Sequence, residues 1–318
     1  MKFNILITDK LLNDYTNIFK EKFSIDCLWK IKGNISYNKY TGIVVTGGFK
    51  TNKRFLSNFK NLKIVSVFGV GYDGVDIEYC KNNNIIVTNT PNVLTDDVAD
   101  LALGLMISLS RKIVLGHEYT YQKKWMQKPF NLTQSLTNKT IGIVGMGAIG
   151  KAFSKRAESL LMNIVYHGPN KKKVKYKYYK NLKQMAKAID IMVITCIGGR
   201  STKNIINKEI ISSLKKSSLI INVSRGSVID EKYLLHALNK NTITGAALDV
   251  FDSEPKINKK FFKLKNVILS PHNASGTIET RLKMAIMSRD NLYSFVKYSK
   301  VKNRVNIKKK YCKFKNYK

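Results

Sequence analysis

Short apolar runs alternate with amphipathic stretches along the whole of this chain. Residues 3–8, 42–46, 63–67 and 85–88 read as strands with helical patterns between them. A second series begins at residue 142 and continues through 164–166, 191–195, 219–223, 245–248 and 267–269. Strands that alternate with helices predict parallel sheets covered on both faces. The expected fold class is α/β, with two doubly wound parallel-sheet domains and a cleft between them. The helix-like stretch 97–110 would connect the domains, and a final helix over residues 278–296 would carry the chain back to the first. The expected domains are 1–97 with 287–318, and 98–286. Ligands in such sheets bind beyond the carboxyl ends of the strands, which places the expected site in the cleft.

One turn in this pattern carries a chemical meaning. The apolar run 141–144 is followed by Gly145-Met146-Gly147-Ala148-Ile149-Gly150, and residues 151–161 then have the spacing of an amphipathic helix. In the order strand, turn, helix, Gly145 permits the tight turn, Gly147 lets backbone approach a pyrophosphate, and Gly150 lets the helix pack closely on the strand. The helix start would face the anion with unpaired N–H groups and the positive end of its dipole. A dinucleotide cofactor is therefore expected. The ribose of such a cofactor usually meets a carboxylate about 20 residues after the fingerprint, yet the next strand ends at Gly168, followed by Pro169, Asn170, Lys171, Lys172 and Lys173. Without the carboxylate, and with ammonium groups close by, a 2′-phosphate is favoured. That predicts NADP(H) in preference to NAD(H), with Lys171 the first candidate to reach the phosphate.

Three further residues follow strands in the same half. Arg225 stands in the segment after 219–223, Glu254 just past 245–248, and His272 just past 267–269. Each singly has a bland alternative as a loop or surface residue. Together they supply what reduction of a 2-oxo acid needs beside a hydride source: a proton donor for the developing alkoxide, and a cation for the carboxylate. A carboxylate beside an imidazole favours imidazolium and orients the ring, and a guanidinium can grip a planar carboxylate with two parallel bonds.

Composition narrows the setting. At 318 residues, 44% of them hydrophobic, the chain has length for about two globular domains. No apolar run approaches the roughly 20 residues that span a bilayer, and the opening residues read as a first strand, so a cytoplasmic setting without membrane contact is expected. Cys27, Cys80, Cys196 and Cys312 are widely separated and form no Cys-x-x-Cys pair, which indicates neither a disulfide framework nor a metal site. The formal charge of +35 raises the question of nucleic acid. Its distribution argues against that partner, because lysine, asparagine, isoleucine and tyrosine are abundant throughout, as in a compositionally drifted chain. The basic segment 307–318 is the one local candidate for an acidic partner and reads as a solvated tail.

These motifs together resemble the D-isomer-specific 2-hydroxyacid dehydrogenases. The resemblance runs from about Ile43 to Val305 and includes Phe68-Gly-Val-Gly-Tyr-Asp-Gly-Val-Asp76, the segment Thr88 to Ala99, the glycine fingerprint, Asn222-Val-Ser-Arg-Gly226, Gly245-Ala-Ala-Leu-Asp249 and Ser270-Pro-His272. Within the family the chain is similar to the bacterial NADPH-dependent glyoxylate/hydroxypyruvate reductases, through Tyr166-His-Gly168, Tyr176-Lys-Tyr-Tyr179 and Cys196-Ile-Gly-Gly199. The resemblance implies a Rossmann-type cofactor domain and a flavodoxin-like substrate domain. It implies that Arg225 binds and polarises the substrate, His272 is the general acid and Glu254 its partner. It further implies that the amides of Val70 and Gly71 hold the substrate carboxylate, that Asp249 bonds the nicotinamide carboxamide, that Thr95 touches a cofactor phosphate, and that Gly168 and Cys196 line the cofactor. A homodimer is implied, with residues 98–137 contributing. Pro169 replaces the arginine frequent in relatives, so the NADP preference rests on the lysines, and Ile197 stands where proline is usual. The expected activity is NADPH-dependent reduction of glyoxylate or hydroxypyruvate. The alternatives are a reductase of a bulkier 2-oxo acid, such as 2-ketogluconate or an arylpyruvate, and a dinucleotide-sensing binding protein or corepressor on the same fold.

Overall fold

In the computed structural model, residues 3–306 are described. The basic segment 307–318 lies outside the described residues. The described residues divide into two compact units, one made of residues 3–94 together with 276–306, the other of Thr95–Ser275.

The first unit is built on five parallel strands: β1 (Asn4–Ile7), β2 (Ser24–Cys27), β3 (Gly42–Thr46), β4 (Ile64–Phe68) and β5 (Ile86–Thr88), in the order β2-β1-β3-β4-β5. Strands β3 and β4 are buried almost throughout, which explains their largely apolar sequences: a parallel strand covered on both faces has no polar side to alternate with. β2 is an edge strand that the hydrophobic pattern does not reveal, because Asp26 interrupts it. That carboxylate is held by Lys39 Nζ and the buried Tyr40 hydroxyl, each at 2.9 Å. At the opposite edge, Arg304 forms an antiparallel bridge with Thr88, and Val305 N–H donates to the Val87 carbonyl at 2.9 Å.

The second unit has seven parallel strands: β6 (Thr140–Val144), β7 (Asn163–His167), β8 (Lys177–Tyr179), β9 (Ile191–Ile194), β10 (Leu219–Asn222), β11 (Gly245–Leu248) and β12 (Val267–Leu269). Their order, β12-β11-β10-β9-β6-β7-β8, reverses between β6 and β9. Such a reversal leaves a crevice at the strands' carboxyl ends, where doubly wound sheets take their ligands. Helices Thr95–Ser110 and Ala148–Ser159 pack on this sheet, and an apolar core including Met185, Ile189, Ile210, Leu234 and Phe261 fills it.

The final helix, Ile278–Tyr298, belongs wholly to the first unit, so the division falls at Ser275/Gly276 instead of the expected 286/287. The reason is packing: Met284, Ala285, Ser288 and Leu292 are buried, and Ser288 Oγ meets Ser66 Oγ of β4 at 2.8 Å. A boundary at 287 would cut this helix in two. The other division, at Leu94/Thr95, lies close to the expected 97/98, because Thr95 opens the long helix. Among the described residues no helix is long and apolar enough to cross a membrane.

Candidate active site

At the switch point, Gly145 leaves β6 with φ of +105°, a conformation that side-chain-bearing residues rarely adopt. A Cβ there would lie 2.5 Å from the backbone of Cys196, which leaves β9 alongside. Thr195 Oγ1 donates to the Gly145 carbonyl at 2.8 Å, and a Cβ on Gly150 would stand 2.4 Å from that same carbonyl oxygen. The turn is thus closed against its neighbours on the inside. Met146 is buried, whereas Gly147 and Ala148 face solvent. The helix Ala148–Ser159 starts at Gly147 with no side-chain cap, and Ile149 lies in its first turn. Its first N–H groups are therefore available to an anion. These residues fit a dinucleotide pyrophosphate. The Cys196 thiol is pushed up to about 11 by burial, so it stays protonated.

The loop after β7 carries the lysines. Gly168 is buried at the strand's end, whereas Lys171, Lys172 and Lys173 are exposed. Two tyrosines brace the loop: Tyr178 OH donates to the Gly168 carbonyl at 2.9 Å, and the Tyr166 hydroxyl accepts from Lys172 N–H at 2.7 Å. His167 bonds the Tyr179 carbonyl through Nδ1, and burial holds its imidazole below the usual value despite that bond. Tyr178 and Tyr179 sit on β8, a strand hidden in the sequence among lysines.

The three chemical residues converge at the other side of the sheet. Asn222, at the end of β10, shapes the arginine segment with its side chain: Nδ2 donates to the Arg225 carbonyl, and Oδ1 accepts from Ser224 N–H, both at 3.0 Å. Arg225 is extended, and its Nη1 donates to the Ser224 carbonyl at 2.8 Å. Gly226 then lies directly on the backbone of the glutamate segment. A Cβ on it would be 1.9 Å from the Phe251 carbonyl carbon and 2.2 Å from Asp252 N. This contact brings Arg225 to the segment in which Glu254 Oε1 accepts from Phe251 N–H at 2.8 Å.

Glu254 Oε2 meets His272 Nδ1 at 2.6 Å. Burial pushes the Glu254 carboxyl up, but the bond to His272, the imidazole charge, the Phe251 amide and the Arg225 charge together hold it below the usual value. His272 itself has φ of +52°, a left-handed conformation that costs energy in a residue with a side chain. Its neighbours enforce it. Asp249, fully buried at the end of β11, accepts from Ser270 Oγ, from Asn273 N–H at 2.8 Å and from Ala274 N–H at 3.0 Å. Both Asp249 oxygens thus hold the loop that presents His272. Nothing in the hydrophobic pattern marks Ser270 or Asn222 for these tasks, because each is one polar residue at a strand end.

Such an arrangement can move a proton. The carboxylate fixes the Nδ1–H tautomer and supports charge on the ring, leaving Nε2 to give or take a proton, with a guanidinium alongside for an anion. Val70 and Gly71 belong to the other unit, in the loop after β4. Thr95 is the first residue of the helix Thr95–Ser110.

A glycine turn at the switch point of a doubly wound sheet, with a histidine, carboxylate and arginine on the same rim, defines a nicotinamide-dependent dehydrogenase. The comparisons agree. Residues 103–274 match the NAD binding domain of the D-isomer specific 2-hydroxyacid dehydrogenases. A glyoxylate/hydroxypyruvate reductase of Arabidopsis thaliana is 41% identical over 256 residues, covering 80% of this chain and 82% of that protein. A hydroxyphenylpyruvate reductase of Plectranthus scutellarioides is 43% identical over 73% of this chain and 74% of its own. Among solved structures, the NADPH-dependent glyoxylate/hydroxypyruvate reductase of Sinorhizobium meliloti, in complex with NADP and malonate, superposes with a TM-score of 0.91 at 33% identity, covering 96% of this chain and 97% of that one. The chain belongs to the D-isomer specific 2-hydroxyacid dehydrogenase family, and it is an oxidoreductase of 2-oxo and 2-hydroxy acids.

Proposed function

We propose that the protein reduces glyoxylate or hydroxypyruvate to the corresponding 2-hydroxy acid with NADPH. The observation that carries this reading is the bond from His272 Nδ1 to Glu254 beside the Arg225 segment, on the rim that holds the glycine turn. When bound, the reduced nicotinamide supplies a hydride to C2 of the substrate. His272 gives the proton from Nε2 to the carbonyl oxygen, Glu254 stabilises the imidazolium before transfer, and Arg225 draws the anionic substrate and polarises its carbonyl. The amides of Val70 and Gly71 hold the carboxylate. In this reading Thr95–Ser275 is the cofactor domain and the remainder the substrate domain.

The cofactor choice is supported by exposed Lys171, Lys172 and Lys173 after a strand end that lacks a carboxylate, and by the NADP bound to the Sinorhizobium meliloti enzyme. Gly145 to Gly150 hold the pyrophosphate, with Thr95 on a phosphate, and Cys196 and Asp249 on the nicotinamide side. The protein works as a cytoplasmic homodimer. Support for the second copy comes from the helix Ile113–Tyr121, which buries none of its residues, and from exposed Trp125, Met126 and Leu132 just beyond. The similarity to hydroxyphenylpyruvate reductase favours a larger 2-oxo acid as the second reading.

NADPH and NADH oxidation, followed at the nicotinamide absorbance band with glyoxylate, hydroxypyruvate and 4-hydroxyphenylpyruvate, tests all of this. Turnover of the two small acids with NADPH is expected. Preference for the aryl acid would select the second reading, equal efficiency with NADH would remove the lysine argument, and tight cofactor binding without turnover would leave a dinucleotide sensor.

A further inference from the structure

The loop after β4 carries two peptide N–H groups, those of the half-buried Val70 and Gly71, that form no hydrogen bond among the described residues. The preceding carbonyls are both held. Thr90 N–H donates to the Gly69 carbonyl at 2.9 Å, and Asn89 Nδ2 donates to the Val70 carbonyl at 2.9 Å. In a planar trans peptide the C=O and N–H point in opposite directions. Anchoring Gly69 O therefore turns the Val70 N–H away from Thr90, and anchoring Val70 O turns the Gly71 N–H away from Asn89. Gly69 N–H is fixed as well, at 3.1 Å from Thr90 Oγ1.

Asn89 is itself locked by a closed ring of amides. Its N–H donates to the Asn303 carbonyl at 3.2 Å, Asn303 Nδ2 donates to Asn291 Oδ1 at 3.0 Å, and Asn291 Nδ2 returns to the Asn89 carbonyl at 3.0 Å. Asn89 and Asn291 are buried. Asn291 and Asn303 thus hold the Asn89 backbone at both its N–H and its carbonyl, and the side-chain amide of Asn89 reaches the substrate loop. Satisfied buried networks of this kind specify one geometry.

We infer that Asn89 is a positioning residue for substrate recognition: through the Val70 carbonyl it aims the Gly71 amide at the substrate carboxylate, and the Asn291–Asn303 ring keeps it in place. This rests on the proposed reduction of a 2-oxo acid. Asn89→Ala keeps both backbone bonds of the ring and deletes only the bond to Val70. It should raise KM for glyoxylate and Ki for oxamate by about tenfold, with kcat and the NADPH KM within about twofold. Asn303→Ala, which leaves the Asn89 side chain intact, should raise the same KM less. A merely structural role would lower the active fraction, and hence kcat, at unchanged KM. Hydrogen exchange read by mass spectrometry, which needs no turnover, should quicken for the peptide spanning residues 69–72 in Asn89→Ala and stay unchanged at residues 141–147. Unchanged KM with unchanged exchange would overturn the inference. A wild-type protein inactive on every 2-oxo acid would overturn the proposed reaction instead, while the exchange result would still decide whether Asn89 fixes the loop.

Discussion

At the β10 to β12 side of the second unit's sheet, every segment that carries chemistry is braced. Asp249 holds three donors of the His272 loop, Asn222 clamps both sides of Ser224, and Gly226 rests on the Phe251–Asp252 peptide. At the β7 to β8 side of the same sheet, the lysine loop is held at two points by tyrosines, and its ammonium groups stand in solvent. The difference follows from the forces each side uses. Proton transfer demands placement within tenths of an ångström. Attraction of a phosphate by mobile cations falls off slowly with distance and tolerates play. Substitutions should therefore cost far more on the first side than on the second.

The largest effect belongs to His272→Ala, which should lower kcat about a thousandfold while NADPH affinity, measured by nicotinamide fluorescence, stays unchanged; a variant that turns over normally removes His272 from the chemistry. Gly226→Ala comes next. Its methyl has no room against the Phe251 carbonyl, so Arg225 and Glu254 must part, and kcat/KM should drop by about a hundredfold with a stability loss of about 1–3 kcal/mol. Denaturant melts beside kinetics would check it, and an undisturbed rate would show that the two segments move independently.

Glu254→Gln keeps a hydrogen bond and discards the charge. Without a negative charge beside the ring, kcat/KM should fall by about tenfold; an unchanged kcat/KM would mean that Glu254 only orients the ring. In the wild type Glu254 itself makes stability depend on pH. Its folded value is depressed, so its stabilising contribution is present above the unfolded value and is lost only as pH falls through the lower folded one. On the far side of the sheet, replacing Lys171, Lys172 and Lys173 together by Ala should raise the NADPH KM by about tenfold, less at high salt, and leave the NADH KM nearly as it was. The smallest effect is Tyr178→Phe, which removes one bond to Gly168 worth about 1 kcal/mol, and NADPH KM titrations should resolve it. A larger change than the lysine triple would invert the comparison.

Much of this fold is legible in residue pattern, for reasons the two sheets make plain. β3 and β11 fall on the residues that the apolar runs mark, because a strand buried on both faces must be written in apolar residues, and the half-buried edge strand β12 is marked by its run as well. β2 and β8 escape because they are edges, where Asp26 and Lys177 are tolerated. The glycine turn and the positions of Arg225, Glu254 and His272 are also readable, since each follows a strand. Their support is not: Ser270, Asn222 and Asn89 are polar residues at strand ends like many others, and only the folded chain shows which carbonyl or carboxylate each one meets. The boundary at 275/276 was equally hidden, because it depends on the packing of Ser288 against Ser66.

The bridge from Arg304 to Thr88 bears on how this chain avoids its own kind. β5 is the outer strand of its sheet, and its unpaired amides and carbonyls would template another strand. Val305 donates to Val87, and Asn306 both accepts from Val87 N–H and donates to the Ile85 carbonyl at 2.7 Å. The chain covers that edge with its own late residues. A protein ending before Arg304 would keep all twelve strands and still offer a sticky margin, and its first symptom would be self-association during refolding.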